Sequence, residues 1–154
     1  MIGKFPAKHR HNYAQPEWNT ETSVADALSN VWEANDSDSS ERACNKLLYA
    51  VGNNHAGTYY PVLVAVTPFM DEILRIGHPW SVRTVLSVLI DLLSSFEPAP
   101  GYETFNDEAG NSEMLANAFQ ESTRRLRPSV ERIAAGGEVN AEMAKEVISL
   151  IDRL

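Results

Sequence analysis

PFMDEILRIG, residues 68–77, returns in altered form as PSVERIAAGG, residues 128–137. Each copy opens on a proline inside a helical pattern. Each has an acidic residue three positions later (Asp71, Glu131), an isoleucine five later (Ile73, Ile133) and a glycine at its end. The stretches that follow also agree, VLIDLL at 88–93 with SLIDRL at 149–154. The pattern is a helix, a stop and a second helix, used at least twice. A two-helix unit cannot bury its apolar stripe alone, so the units are expected to stack on one another.

Working outward, the same 3.6-residue period recurs. Val24, Ala27, Leu28, Val31 and Trp32 make one apolar stripe, with Thr22 or Ser23 as the cap. NDSDSS at 35–40 is a turn in which Asp38 and Glu41 have capping-box spacing. The next helix is expected over about 39–51, with Ala43, Cys44, Leu47, Leu48 and Val51 on one face and Gly52 and Asn53 as left-handed caps. A third helix should run from a Thr58 cap to Ile76, with Pro61 in its first turn. A fourth should run from Pro79 to about Ser95, apolar around most of its circumference and therefore central. A fifth spans 112–135 and a sixth 140–154. Pro68 and Pro128 fall inside the third and fifth, where a kink or break is expected. No alternating β-branched run with hairpin turns is present, so no strand is expected. The 96–111 stretch reads as a long acidic loop, of a length that is usually functional or mobile.

These elements form three helix pairs, at about 22–53, 58–95 and 112–154. Arg42 and Arg83 sit at equivalent places in two second helices, 41 positions apart. The expected fold is all-α, a right-handed α-α superhelix of about three helix hairpins in one domain over 20–154. Residues 1–19 are polar and basic with Pro6 and Pro16. They read as an extended N-terminal arm, pinned at its end by Trp18.

Composition narrows the function. A net charge of −8 argues against a sequence-independent nucleic-acid binder, whose affinity comes from cations that neutralise phosphates. It is equally poor for an anionic membrane surface. No apolar run is long enough to span a bilayer, and the first residues lack the apolar stretch of a secretory signal, so a cytoplasmic protein is expected. Cys44 is the one cysteine, which excludes an intramolecular disulfide. Its place beside Leu47, Leu48 and Val51 predicts a buried, inert thiol rather than a nucleophile served by His55.

The segment LLYAVGNNHAGTYYPVLVAVTPFMDEILRIGHPWSVRTVLSVLIDLL, residues 47–93, resembles small bacterial HEAT-like proteins. In these a helix ends in a turn containing His and Gly, and the next carries an aromatic residue and then a proline. A Trp–Ser–Val–Arg-type start then opens the following helix. The resemblance covers about a third of the chain in detail and the remainder by helix pattern. It implies HEAT-like hairpins and a protein-binding role. Several such proteins are similar to immunity proteins, which bind and block toxins of bacterial competition systems.

Two turn clusters are the candidate contact residues. Asn53, Asn54, His55, Tyr59 and Tyr60 surround the entry to the third helix, where free N–H groups can receive an anion or carboxylate. The bland reading is that they satisfy the turn. His78, Trp80 and Arg83 form the second cluster, with Trp80 as an interface anchor. Arg83 is read as structural, tied to Asp71 or Asp91. Protein-binding residues are therefore expected at Asn54, His55, Tyr59, Tyr60 and Trp80. His9-x-His11 has ligand-pair spacing but lies in a basic arm without acidic partners, and reads as solvated tail. The acids of 97–108 lack a calcium-loop pattern. Arg124, Arg125 and Arg127 read as a solvated helix face. No Walker loop, Rossmann glycine pattern, nucleophile elbow or zinc motif occurs. The expectation is a non-enzymatic module with no metal or cofactor and with a protein partner such as a toxin. It involves neither nucleic acid nor membrane, and the chain is a monomer or weak homodimer. Two rivals remain: a helical-repeat enzyme acting on nucleic acid, which the charge disfavours, and a self-associating structural protein.

Overall fold

The computed structural model describes residues 13–154, so His9, His11 and most of the expected arm lie outside the described residues. Six α-helices account for most of the described chain: α1 (Ser23–Glu33), α2 (Ser37–Val51), α3 (Val62–Ile76), α4 (Pro79–Ser94), α5 (Leu115–Ala135) and α6 (Ala141–Ile151). The class is mostly helical, as the periodicity predicts.

The helix starts differ from the expected ones in instructive ways. The capping box of α2 is built two residues upstream, by Asp36 and Ser39: Ser39 N donates to Asp36 Oδ1 at 2.7 Å, and Asp36 N donates to Ser39 Oγ at 3.1 Å. NDSDSS offers several cap-competent residues. The frame that wins starts the helix two residues earlier, at Ser37, and Ser40 is buried, its hydroxyl meeting Thr84 on α4 at 2.7 Å. At α1, Ser23 Oγ accepts from Thr20 N at 2.8 Å, and Thr22 makes no side-chain cap.

The absence of strands is corrected. Among the described residues there are two small sheets. Strands β1 (Gly52–Asn53), β2 (Thr58–Tyr59) and β3 (Glu97–Pro98) pair in that order, the first pair antiparallel and the second parallel. Strands β4 (Thr104–Asn106) and β5 (Ser112–Met114) form a hairpin within the expected acidic loop and its continuation into α5. Strands of two or three residues are too short to show an alternating pattern, which is why the sequence hides them. Gly52 consequently is not a left-handed cap: its φ is 176°, ordinary extended backbone. It is glycine for another reason. A Cβ there would lie 2.3 Å from the Thr58 carbonyl oxygen on β2. Thr58, expected as a helix cap, and Ser112, expected at a helix start, are strand residues instead.

Neither α3 nor α5 is broken at its proline. Pro68 removes the N–H that would have met the Val64 carbonyl, and Thr67 Oγ1 donates to that oxygen at 2.9 Å instead. The ladder gap is filled from within the same turn, so the helix continues.

α1 lies on α2, α5 on α6, and α3 touches both α4 and α5. α4 packs against α1, α2, α3 and α6, so the all-round apolar helix is central. Val85, Leu86 and Leu89 are fully buried; Leu93, expected with them, is half-buried at the end of the helix. The helix turns are also tied together. His78 Nε2 and Ser81 Oγ meet the Trp32 carbonyl at the end of α1, at 2.9 and 2.7 Å, and Asn140 Nδ2 donates to the Pro79 carbonyl at 2.9 Å. Residues 13–19 cross from one end of α2 to the start of α3. Asn19 Nδ2 donates to the Ala50 carbonyl at 2.7 Å, and the Ala14 carbonyl accepts from Val62 N at 3.0 Å. Described residues of the arm are thus a strap bound to the body, and Tyr13 and Pro16 within it are buried.

Candidate protein-binding surface

Tyr59 and Tyr60 follow the β1–β2 turn, and alternation along the strand sends their rings to opposite sides. The Tyr59 ring goes inward, 1% exposed, parallel to Phe96 with centroids 5.8 Å apart; Phe96 in turn stacks on Phe119 of α5 at 4.2 Å. This inner column joins the small sheet to the core. Burial, followed by the charge of Asp91 and the neighbouring Cys44, pushes the Tyr59 phenol up to about 12. Tyr59 is therefore a core residue and offers no face to a partner.

Tyr60 is half-buried and faces outward into a different group of rings. Trp18 from the strap meets it edge-on, with centroids 6.0 Å apart and planes at 86°. Trp18 also stacks on Tyr49 of α2 at 5.2 Å, and Tyr60 contacts Tyr102 at 5.0 Å. Tyr49 is 54% exposed and Trp18 37%. Trp18 Nε1 already donates to the Tyr49 carbonyl at 2.9 Å. The indole polar tip is thereby satisfied, and what the ring leaves in water is carbon surface. Burial, then Tyr102 and Glu17, raise the Tyr60 phenol above its ordinary value. Exposed Trp and Tyr rings held in fixed mutual geometry are characteristic of interface anchors, because little side-chain freedom is left to lose on binding.

The other expected contact residues divide between the two ends of the molecule. Asn54 is half-buried and His55 exposed in the β1–β2 turn, near the ring cluster in sequence. That turn is closed by Asn53 Oδ1, which accepts from the backbone N–H groups of His55 and Ala56 at 3.2 and 3.3 Å. Trp80 is at the far end of α3, a helix of 15 residues and so about 22 Å long. It is half-buried, with the Arg83 guanidinium 5.7 Å from its ring centroid. Arg83 does not reach Asp71 or Asp91. Asp71 instead accepts from Ser129 Oγ and pairs with Arg75. One surface cannot contain Tyr60 and Trp80 together unless it runs the length of the hairpin.

Trp18, Tyr49 and Tyr102 were not among the expected contact residues. Tyr49 carried a readable signal: it shares the polar face of α2 with Asn45 and Lys46, an aromatic among solvated neighbours. Tyr102 carried none, since its position depends on the course of the 97–104 segment.

Elsewhere, a cleft of about 440 Å³ opens between the ends of α4 and α5, floored by Leu92, Phe96 and Phe119. A groove of about 400 Å³ lies between α3 and α5, lined by Val64, Ala65, Ser122 and Leu126. Cys44 is buried, and desolvation, with Asp91 and Glu41 adding to it, pushes its thiol up to about 12. Among the described residues no group of three or more His, Cys, Asp and Glu side chains is disposed to hold a metal ion, and no helix is long and apolar enough to cross a membrane. No family model, curated protein or solved structure matches the chain.

Proposed function

We propose that this chain is a protein-binding module, a right-handed superhelix of HEAT-like hairpins that engages its partner through the aromatic surface of Trp18, Tyr49, Tyr60 and Tyr102, with Asn54 and His55 at its edge. The observation that carries this reading is the exposure of Tyr49 and Trp18 in a fixed stack. A monomer gains little by holding rings in water, whereas a partner that covers them recovers their apolar area. In its most concrete form the module is an immunity-type inhibitor, cytoplasmic and bacterial, that blocks a toxin. Its acidic charge favours rapid association with a basic toxin. No chemistry on the chain is required for that role. Trp80, at the opposite end, is a secondary contact only for a partner long enough to span the hairpin.

The test is capture of proteins from the source cell, or titration with the product of a neighbouring toxin gene, comparing wild type with Tyr49→Ala and a Trp18→Ala/Tyr49→Ala double variant. A true anchor pair should weaken the complex by about 2 kcal/mol or more, the hot-spot threshold. Unchanged affinity in correctly folded variants removes this surface from the proposal. Self-association, the rival reading, would appear as a concentration-dependent mass in ultracentrifugation that the same variants abolish.

A further inference from the structure

The charge around the aromatic surface specifies what it should receive. Glu17 precedes Trp18 and is exposed; its field reaches the Tyr60 phenol. Glu103, also exposed, follows Tyr102 and accepts from Gly101 N at 3.4 Å. The nearest cation along α2 is Lys46, about one turn from Tyr49 toward the far end of the helix. The Glu17 carboxylate thus stands beside ring faces that are themselves negative at the π-cloud, and among the described residues no cation forms an ion pair with it. The whole chain adds a net −8. A second copy would bring like charge against like, so homodimerisation through this face is disfavoured.

We infer that this surface receives an arginine-bearing segment of the partner, with guanidinium groups laid over the exposed rings and steered by Glu17 and the acidic charge of the chain. The inference rests on the protein-binding reading above and names the chemistry of the bound segment. Arginine fits better than lysine, because a planar, weakly hydrated guanidinium stacks on an aromatic face while an ammonium retains its water. The molecule contains the same contact internally, where Arg83 lies over Trp80 with its Cζ 5.7 Å from the ring centroid. Trp18 suits the role because its N–H is already bound to Tyr49, leaving the π-face as the part that a partner meets.

The experiment titrates the full chain with capped hexa-arginine and, in parallel, with capped hexa-citrulline, which keeps the planar head group without its charge. Binding is followed by NMR at the Trp18 indole N–H and the Tyr49, Tyr60 and Tyr102 rings. Hexa-arginine should shift these signals saturably, and citrulline should bind at least about fivefold more weakly. Tyr49→Ala, a change at an exposed site, should weaken arginine binding about two- to fivefold. Glu17→Gln should weaken it about twofold, with the difference vanishing at high salt. Equal binding of the two peptides overturns the inference. So do arginine-induced shifts confined to the acidic 104–114 hairpin and insensitive to Tyr49→Ala. A native partner whose affinity depends on Tyr49 but survives replacement of its arginines by glutamine overturns the arginine assignment alone. A partner indifferent to Tyr49 removes the surface itself.

Discussion

Ser129 Oγ donates to Asp71 Oδ1 at 2.6 Å, across the junction of α5 and α3. Three residues further along each helix, Arg132 Nη2 donates to the Leu74 carbonyl at 3.1 Å. Both bonds span 58 residues, close to the separation of Pro68 and Pro128. Helices that share a sequence pattern therefore lie side by side with like positions nearly opposed. Ser129 is buried and its acceptor is charged, so Ser129→Ala should cost about 1–3 kcal/mol. Urea denaturation measures this; a loss below a few tenths of a kilocalorie would mean the bond is not formed in solution.

Leu89 lies at the centre of α4 and is fully buried. Truncation to Ala should create a cavity and cost about 2–5 kcal/mol. Leu93, only half-buried, should cost clearly less under the same change. Equal costs at both positions would contradict the placement of α4.

Native Cys44 should react slowly with a thiol reagent near neutral pH, because burial both shields it and holds the proton on sulfur. Unfolding in urea should release one fast-reacting thiol per chain. Rapid stoichiometric labelling of the folded protein would show that α2 is packed otherwise.

Gly52→Ala should be strongly destabilising, since the new Cβ would meet backbone, the Thr58 oxygen at 2.3 Å, rather than a movable side chain. Gly101→Ala is the matched control. Its φ of +87° makes the change strained, but nothing lies within 4 Å, so only the backbone cost of about 1–2 kcal/mol remains. Thermal melts of the two variants should separate clearly. Similar melting temperatures would argue that β1 and β2 are not held at this spacing.

Acid should remove two surface contributions together. Asp36 is held below the ordinary carboxylate range by its bonds to the Ser39 backbone and hydroxyl, and Asp152 by the Arg127 guanidinium. A depressed folded value means the stabilisation is complete above the unfolded pKa of about 4 and fades as pH falls through the lower folded value. Asp36→Asn keeps the cap but cannot titrate, so its stability should fall less steeply below about pH 4 than that of wild type. An identical acid limb would exclude Asp36 as a contributor.

The helices were legible because their apolar stripes are long and bounded by turn residues. Val24 to Trp32 and Pro79 to Ser94 could be read almost to the residue. The two small sheets were not legible, because their registers are set by contacts such as the Tyr59–Phe96–Phe119 column rather than by local pattern. The same cause divided the expected contact residues. Tyr59 and Tyr60 are adjacent and identical in type, and only the strand pairing decides which ring faces inward. His55 and Trp80 occupy the two turns that bound α3, and those turns lie at opposite ends of it. Trp18 was recognisable as a pin; that it would bring Tyr49 and Tyr60 into one surface required three dimensions.

The strap has a consequence for biosynthesis. Ala14 and Asn19 leave the ribosome long before Val62, the residue that receives the Ala14 carbonyl. Only one of the strap's two anchor points, the end of α2, exists while the first helices emerge. The second appears when α3 begins, and closing the strap then links residues 14–19 to a segment some forty residues later in synthesis. The Trp18–Tyr60 corner therefore cannot assemble before α3 begins to emerge, and the ring surface is complete only once Tyr102 has followed. A partner that reads the whole ring surface would pass over nascent chains that end before Tyr102.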